Sequence, residues 1–232
     1  MQAGEPYGVI VGNKFRRDPQ SGQLLINQNG LSSFEGAKIE KIGDPNPNYT
    51  AGITNTFTYK GIALSFLIDI RKGGDIISRN TRDLRLRGVA VETGNRDQKY
   101  VIAGVVEDPA NPGQALRGGD GQPVPNAVEL TAEQYYKNLY NSFQGENMIF
   151  DGSWVRLREA SITYNLPKAL ISKTPFGAIQ IAITGRNLLL SSPNFPHLDP
   201  EANSQGVSNS QGFQYNTLPQ ARTYGALLRL TF

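Results

Sequence analysis

The 232-residue chain is long enough to bury a sizeable core, either as one large domain or as two small ones. Its formal charge of +3 and the lack of a dense Lys/Arg block give no support to nucleic-acid binding, and the absence of cysteine excludes disulfides, thiol nucleophiles and cysteine metal sites. The 25 glycines, 14 prolines, 10 tyrosines and 10 phenylalanines indicate a turn-rich β protein, and no apolar run approaches the roughly 20 residues of a transmembrane helix.

The first clear structural signal is a long hairpin that follows a less regular predicted strand at residues 6–15. Residues 49–59 and 62–71 each alternate between apolar and polar side chains, and the dipeptide Lys60-Gly61 joins them, which predicts two antiparallel strands. Each strand has the roughly 9–11 residues needed to cross a bilayer at a tilt, and the first carries aromatic residues near its ends, Tyr49, Phe57 and Tyr59. A large soluble β-sandwich shows the same alternation, so both interpretations stay open here.

The middle of the chain is predicted to be mostly connections. Residues 78–127 and 191–220 are rich in Pro, Gly, Asn and Asp, whereas the other connections are short. The basic stretch at residues 79–88 is interpreted as a solvated loop or strand face, with a polyanion-facing patch as the alternative. One helix is predicted near residues 131–143, because Thr131 and Gln134 form a capping box. One side of this helix carries a stripe of aromatic and apolar side chains: Tyr135, Tyr136, Leu139, Tyr140 and Phe143. We predict that the stripe packs the helix onto the sheet, and a sugar-stacking platform is the alternative.

Three further strands are predicted in the C-terminal third, which brings the number of long strands to about six. The first, in WVRLREASITYNLP, carries Arg156 and Arg158, whose parity matches that of the apolar residues that follow. Because Arg costs about 2–4 kcal/mol on a lipid-facing position, the two faces must exchange near Glu159, which indicates a β-bulge there or the rim of the membrane band. We therefore predict an ion-pair cluster around the two arginines, with ligand binding as the alternative. The other two strands lie in AIQIAITGRN and at residues 222–232.

The sequence contains few of the residues and motifs that are typical of enzyme active sites. The single histidine, His197, lies in a proline-broken loop, and no nucleophile, phosphate-loop or metal-ligand motif is present. Asp199 and Glu201 are the only pair we consider as glycosidase carboxylates. We predict no catalytic, cofactor-binding or metal-binding residue, no cofactor and no enzymatic activity; a glycoside-active enzyme is kept as an alternative.

The order of these motifs resembles the C-terminal barrel segment of the SusC/RagA-type TonB-dependent outer-membrane transporters. The similarity runs over nearly the whole chain, from GEPYGVIVGNKF and IGDPNPNYTAGITNTFTYKG through FDGSWVRLREASITYNLP and ITGRNLL to LDPEAN and LPQARTYGALLRLTF. The residues that carry it, and that we take as family-motif or structural positions, are Asp44, Pro45, Pro47, Trp154, Arg156, Leu157, Arg158, Gly185, Asn187, Asp199, Pro200, Arg222 and Gly225.

The resemblance implies an all-β fold: an antiparallel transmembrane β-barrel segment of about six strands from a barrel of about 22, with long extracellular loops and one short loop helix. Residues 1–232 are then the C-terminal part of a TonB-dependent receptor, with the plug domain and the signal peptide absent. The expected location is the outer membrane of a Gram-negative cell, as an integral multi-pass barrel.

The same resemblance implies a role in importing oligosaccharides or peptides. The expected partners are a SusD-like surface lipoprotein, the TonB complex (through the missing N-terminal part), the outer-membrane assembly machinery and membrane lipid, but no nucleic acid. Leu228, Leu230 and Phe232 are expected to form the C-terminal assembly signal. A soluble β-sandwich carbohydrate-binding module remains an alternative.

Overall fold

The computed structural model describes residues 4–36, 39–141, 145–205 and 211–232. Within these ranges the strands are β1 (Ile10–Gly12), β2 (Leu25–Ile26), β3 (Glu40–Gly43), β4 (Tyr49–Tyr59), β5 (Ile62–Lys72), β6 (Asp75–Ser78), β7 (Lys99–Tyr100), β8 (Val105–Val106), β9 (Leu130–Thr131), β10 (Ile149–Asp151), β11 (Trp154–Asn165), β12 (Ala178–Ser191), β13 (Phe213–Gln214) and β14 (Thr223–Thr231). The helices are α1 (Arg79–Leu86), α2 (Ala132–Leu139) and α3 (Lys168–Ile171), with 3-10 turns at Val91–Thr93 and Glu146–Met148.

The chain divides into two compact units. The sheet unit comprises Pro47–Gly73, Gly152–Ala202 and Leu218–Phe232, and the loop unit comprises Met1–Asn46, Gly74–Asp151 and Asn203–Thr217. The part of the chain that the structure describes contains no helix long and apolar enough to cross a membrane.

The sheet unit is a five-stranded antiparallel sheet in the order β14-β12-β11-β5-β4. The predicted hairpin is confirmed, because β4 pairs with β5 from Tyr59↔Ile62 to Tyr49↔Lys72. Its turn residues Lys60 and Gly61 have φ of 46° and 84°. Two successive positive φ values are typical of the type I′ turn, whose twist matches that of the flanking strands.

The lengths of two strands depart from the prediction. The strand expected at residues 6–15 is wrong in its extent: only Ile10–Gly12 is extended, and it pairs with β3 in a two-stranded sheet of the loop unit. Gly8, with φ of 77°, turns the chain before the strand can begin. In contrast, β12 continues to Ser191 and has 14 residues.

The predicted β-bulge in β11 is confirmed. Leu157 pairs with Ile68 and Glu159 pairs with Leu67, so Arg158 has no opposite residue on β5. The register on the β12 side shifts at the same place. The extra residue lets the apolar row change parity, since Leu157 lies on the same face as Ile162 in spite of their odd spacing.

The loop unit shows that the predicted connections are not simple loops. Short strands and helices there enclose small apolar clusters, such as Ile26, Ile102 and Leu130. The basic stretch at residues 79–88 was predicted as a loop or strand face, and this is wrong: Arg79–Leu86 is helix α1, with the Ser78 side chain accepting a hydrogen bond from the Thr81 N–H. A helix is therefore present beyond the single one predicted.

Helix α2 begins with the predicted capping box, in which Thr131 and Gln134 exchange hydrogen bonds. Its aromatic stripe packs within the loop unit, where the Tyr100 and Tyr135 rings stack with their centroids 4.6 Å apart, as a packing stripe and not as a sugar-stacking platform. Tyr136 and Tyr140 are each 9% exposed, so this part of the stripe belongs to a core. Burial also raises the pKa of the Tyr136 hydroxyl. Phe143 and residues 206–210 of the second predicted connection lie outside the described residues.

Candidate functional site

The first candidate surface is the apolar face of the sheet unit. The registers place large apolar side chains of all five strands on one side of the sheet. We call this set the apolar face: Tyr49, Ile53, Phe57, Tyr59, Ile62, Leu64, Phe66, Ile68, Ile70, Val155, Leu157, Ile162, Tyr164, Ile179, Ile181, Ile183, Leu189, Tyr224, Leu228 and Leu230. Many of them are exposed, including Ile183 at 64% and Leu228 at 63%. A contiguous apolar surface of this kind marks an interaction site.

The opposite face of the sheet is polar. It carries alternate residues of the same strands, including a threonine row on β4 (Thr50, Thr54, Thr56 and Thr58) together with Ser65, Thr163, Gln180 and Arg229. The Thr56 hydroxyl donates to the Ser65 hydroxyl across the hairpin at 3.0 Å. The sheet is therefore two-sided, and this face is the more polar one, although Leu67, Leu190 and Leu227 also lie on it.

The second candidate feature is an arginine cluster on the polar face, at the β11 end near the bulge. Arg156 is 2% exposed, and its Nη2 donates to Asp199 Oδ1 at 2.6 Å and lies 3.3 Å from Glu201 Oε2. Asp199 is itself 7% exposed and also accepts the Glu201 N–H at 3.0 Å. These contacts hold the segment after β12 against the polar face of β11.

Arg158, the bulge residue, extends the cluster to a second strand. Its Nη2 donates to Asp69 Oδ2 of β5 at 2.6 Å and to Glu201 Oε1 at 2.8 Å, and its Nη1 donates to Glu201 Oε2 at 2.8 Å. The pairing with Glu201 is the bidentate geometry that suits a guanidinium best. The predicted ion-pair cluster is therefore present, with two arginines and three carboxylates.

Trp154 lies beside both guanidinium groups. The Cζ atoms of Arg156 and Arg158 are 5.4 Å and 5.5 Å from the centroid of its indole ring, within cation–π range. The indole is 6% exposed. The indole ring of Trp154 thus packs against the guanidinium groups of Arg156 and Arg158.

The glycosidase alternative receives no support from this geometry. A glycosidase needs two carboxyl groups free to flank a sugar bond. Here Asp199 and Glu201 both accept hydrogen bonds from arginines. The cluster is suited to fixing a segment on the sheet.

Gly185, Asn187 and Gly225 occupy positions with specific backbone or space requirements. A Cβ on Gly185 would lie 2.6 Å from Leu188 Cδ2, and one on Gly225 would lie 3.0 Å from the Thr184 hydroxyl. Asn187 has φ of 53°, a conformation that Asn tolerates, and its Nδ2 donates to the Ala221 carbonyl at 3.1 Å. These residues shape the end of β12 and do not join the arginine cluster.

The remaining motif residues are dispersed. Asp44 and Pro45 belong to the loop unit, where the Asp44 carboxylate accepts the Asn46 N–H at 3.0 Å, whereas Pro47 begins a segment of the sheet unit. Pro200 is buried and Arg222 is exposed.

The three residues predicted as an assembly signal are also separated. Leu228 and Leu230 lie on the apolar face, while Phe232 follows the last strand residue, Thr231. The Phe232 ring is 87% exposed and lies 5.1 Å from the ring of Phe176.

Sequence reasoning misses one contributor to the cluster: it treats Glu201 only as a candidate catalytic acid, whereas Glu201 pairs with Arg158. The available signal was charge: the segment after β12 carries two acids, and Asp69 lies opposite Arg156 in register. Two cations and three anions on one face indicate mutual pairing.

Comparison with known proteins finds similarity to TonB-dependent receptors. No family model matches it. Two proteins of Formosa agariphila are each 27% identical: TonB-dependent receptor P3, over 93% of this chain and 19% of its own length, and TonB-dependent receptor P26, over 99% of this chain and 23% of its own length. The chain therefore spans about a fifth of these relatives.

Solved structures of the RagAB peptide transporter share the fold. The open-open state of the importer matches with a TM-score of 0.56 and 17% identity, over 96% of this chain and 22% of the other. A second RagAB structure gives a TM-score of 0.55 and 18% identity, over 97% and 23%. The predicted resemblance to SusC/RagA-type TonB-dependent receptors is confirmed.

Proposed function

We propose that the sheet unit is part of the barrel wall of a TonB-dependent transporter in the outer membrane of a Gram-negative bacterium. The observation that carries this proposal is the apolar face, which extends across five strands of 9 to 14 residues. A tilted strand needs about 9–11 residues to cross a bilayer. Lipid tails are the one partner that covers such a wide apolar surface without requiring complementary shape.

The sheet edges support a larger barrel. Among the described strands, β4 pairs only with β5, and β14 pairs only with β12. An open edge is not tolerated in lipid, because each unpaired backbone group there costs several kcal/mol. Other strands of the same wall would therefore pair with β4 and β14, so that these five strands form one sector of a closed barrel.

The polar face then lines the barrel lumen. Arg156 and Arg158 both point to that side, which avoids the cost of about 2–4 kcal/mol for an arginine at the lipid midplane. The cluster fixes the Asp199-containing segment on the lumen side of the wall. Its role in this proposal is structural support of the wall.

For the whole transporter we propose import of oligosaccharides or peptides with a SusD-like surface lipoprotein. The TonB complex would supply energy through the N-terminal part of the protein, and the outer-membrane assembly machinery would insert the barrel. The loop unit would lie on the extracellular side. Two observations support this proposal: both relatives from Formosa agariphila are TonB-dependent receptors, and RagAB, which shares the fold, is a peptide importer.

A pair of neighbouring substitutions on β12 tests the membrane placement. Ile183→Lys puts a charge on the apolar face, and Thr184→Lys puts the same charge on the polar face. We expect Ile183→Lys to lower the free energy of unfolding in detergent-free lipid vesicles by about 2–4 kcal/mol and Thr184→Lys by less than about 1 kcal/mol. Urea titration followed by tryptophan fluorescence measures both.

Two results would contradict the proposal. Equal effects of the two lysines would show that the apolar face does not meet lipid. A folded, monodisperse monomer in plain buffer would favour the soluble β-sandwich alternative, because such a monomer would leave the apolar face in water.

A further inference from the structure

A cavity of about 1260 Å³ lies in the loop unit, between the C-terminal end of α1 and the first turns of α2. Its lining contains four cationic side chains, Arg85, Arg87, Arg96 and Lys137, and one acidic side chain, Glu133. The residues that line the cavity belong to the loop unit, whereas those of the arginine cluster and of the apolar face belong to the sheet unit. None of the motif residues lines it.

Two of the four cations are already neutralised. Arg85 pairs with Glu92 and donates to the Tyr140 hydroxyl at 2.6 Å, and Lys137 pairs with Glu133 at 2.6 Å. Lys137 thus neutralises Glu133, which is the one acidic residue among the described residues of the lining.

The other two cations, Arg87 and Arg96, are exposed and have no carboxylate partner among the residues that the structure describes. Arg96 Nη2 donates to the Gly88 carbonyl at 3.1 Å, which holds its side chain at the cavity. The two guanidinium groups therefore leave an uncompensated positive charge at the cavity. Carboxylate is the group that a guanidinium binds with matching geometry.

The surroundings favour a peptide over an acidic sugar. Among the described residues of the lining the single aromatic one is Tyr136, which is 9% exposed and packs edge-on against Tyr100 and Tyr135. It therefore offers no free face on which a sugar ring can stack. In contrast, the segment between the two arginines exposes two apolar side chains that follow Gly88 of the lining but do not line the cavity themselves, Val89 at 65% and Val91 at 84%.

We propose that this cavity binds an acidic peptide, with carboxylates received by Arg87 and Arg96 and an apolar side chain placed on Val89 and Val91. Clusters of arginine that recognise acidic motifs are a recurring mode of peptide binding. The proposal does not depend on the membrane placement of the sheet unit, so either can fail without the other.

Fluorescence anisotropy with the full chain in detergent tests the proposal. The probe is the labelled acetyl peptide EVEVE, compared with its neutral counterpart QVQVQ and with pentagalacturonate. We expect EVEVE to bind at low ionic strength and QVQVQ to bind at least about ten-fold more weakly, because the two arginines together contribute about 1.4 kcal/mol. Added salt should weaken EVEVE binding.

Variants locate the site. We expect Arg87→Gln/Arg96→Gln to lower EVEVE affinity about ten-fold. The charge-conserving Arg87→Lys/Arg96→Lys should bind EVEVE more tightly than the Gln double variant but less tightly than the unsubstituted chain, because it keeps the charge and loses the guanidinium geometry. This intermediate affinity separates loss of charge from misfolding. Lys99→Gln removes an exposed charge of the same unit outside the cavity lining and should leave the affinity unchanged.

Each contrary outcome has a definite meaning. No binding of EVEVE, equal binding of QVQVQ, or unchanged affinity in Arg87→Gln/Arg96→Gln would overturn the site. Pentagalacturonate binding more tightly than EVEVE, with the same dependence on the two arginines, would overturn the assignment to peptide in favour of an acidic glycan.

Discussion

Arg156→Met is the sharpest test of the arginine cluster. The substitution keeps an apolar stem of similar length but leaves Asp199 7% exposed without its guanidinium partner at 2.6 Å. Removing one member of a buried ion pair costs about 3–5 kcal/mol, because the remaining charge is left uncompensated. Glu201 loses only a 3.3 Å contact and keeps Arg158, so we place most of the cost on Asp199.

Guanidinium unfolding in detergent micelles, followed by fluorescence, measures this cost directly. Trp154 is the only tryptophan of the chain and lies 5.4 Å from the Arg156 guanidinium, so the signal comes from the cluster itself. Arg186→Met provides the control, because its pair with Glu159 is 69% and 44% exposed and should contribute at most about 1 kcal/mol.

A double substitution separates an unpaired charge from lost packing. In Arg156→Met/Asp199→Leu no charge remains unpaired, and we expect most of the stability lost in Arg156→Met to return. The reasoning is refuted if Arg156→Met is no more costly than Arg186→Met, or if the double variant is as unstable as Arg156→Met alone.

Two further predictions concern the hairpin turn and the last residue. Gly61→Ala should lower the free energy of unfolding by about 1–2 kcal/mol in the same titration, because Gly61 has φ of 84° and a Cβ would lie 2.8 Å from the Asn165 carbonyl oxygen. Gly52→Ala, whose Cβ meets nothing nearer than 3.9 Å, should be harmless, and equal effects would contradict the turn argument. Phe232→Asp should lower the outer-membrane level measured by immunoblot, whereas Phe176→Ala removes the ring contact and keeps Phe232. Normal levels of Phe232→Asp would exclude an assembly role.

The strands of the sheet unit could be predicted because the pattern that determines each strand lies within the strand's own residues. Alternation with a period of two is visible in ten residues, and it fixes both the strand and the face of each side chain. The bulge was predictable for the same reason, since a change of parity around Glu159 requires an extra residue. The sequence also indicated that Arg156 and Arg158 need acidic partners.

The loop unit could not be predicted because its determinants are distant in sequence. Helix α1 has no apolar stripe, since Leu84 and Leu86 are the only apolar residues in RNTRDLRL and a spacing of two places them on different sides of a helix. The helix is held instead by its cap and by remote contacts: Ser78 Oγ bonds Gln214 Oε1, 136 residues away, and Arg82 Nη2 donates to the Asn141 carbonyl. Such tertiary contacts override a weak local propensity.

The single extra residue in β11 allows one strand to place its arginines on one face and its apolar residues on the other. In strict alternation Arg156 and Arg158 would share a face with Ala160 and Ile162, so either the arginines would enter the apolar face or the apolar residues would leave it. Inserting Arg158 without an opposite residue changes the parity, so that Leu157 and Ile162 lie on one face and both arginines reach acids on the other. Arg158, the bulge residue, also donates hydrogen bonds to Asp69 of β5 and to Glu201 in the segment after β12. The bulge that changes the parity of the strand therefore also positions the ion-pair cluster.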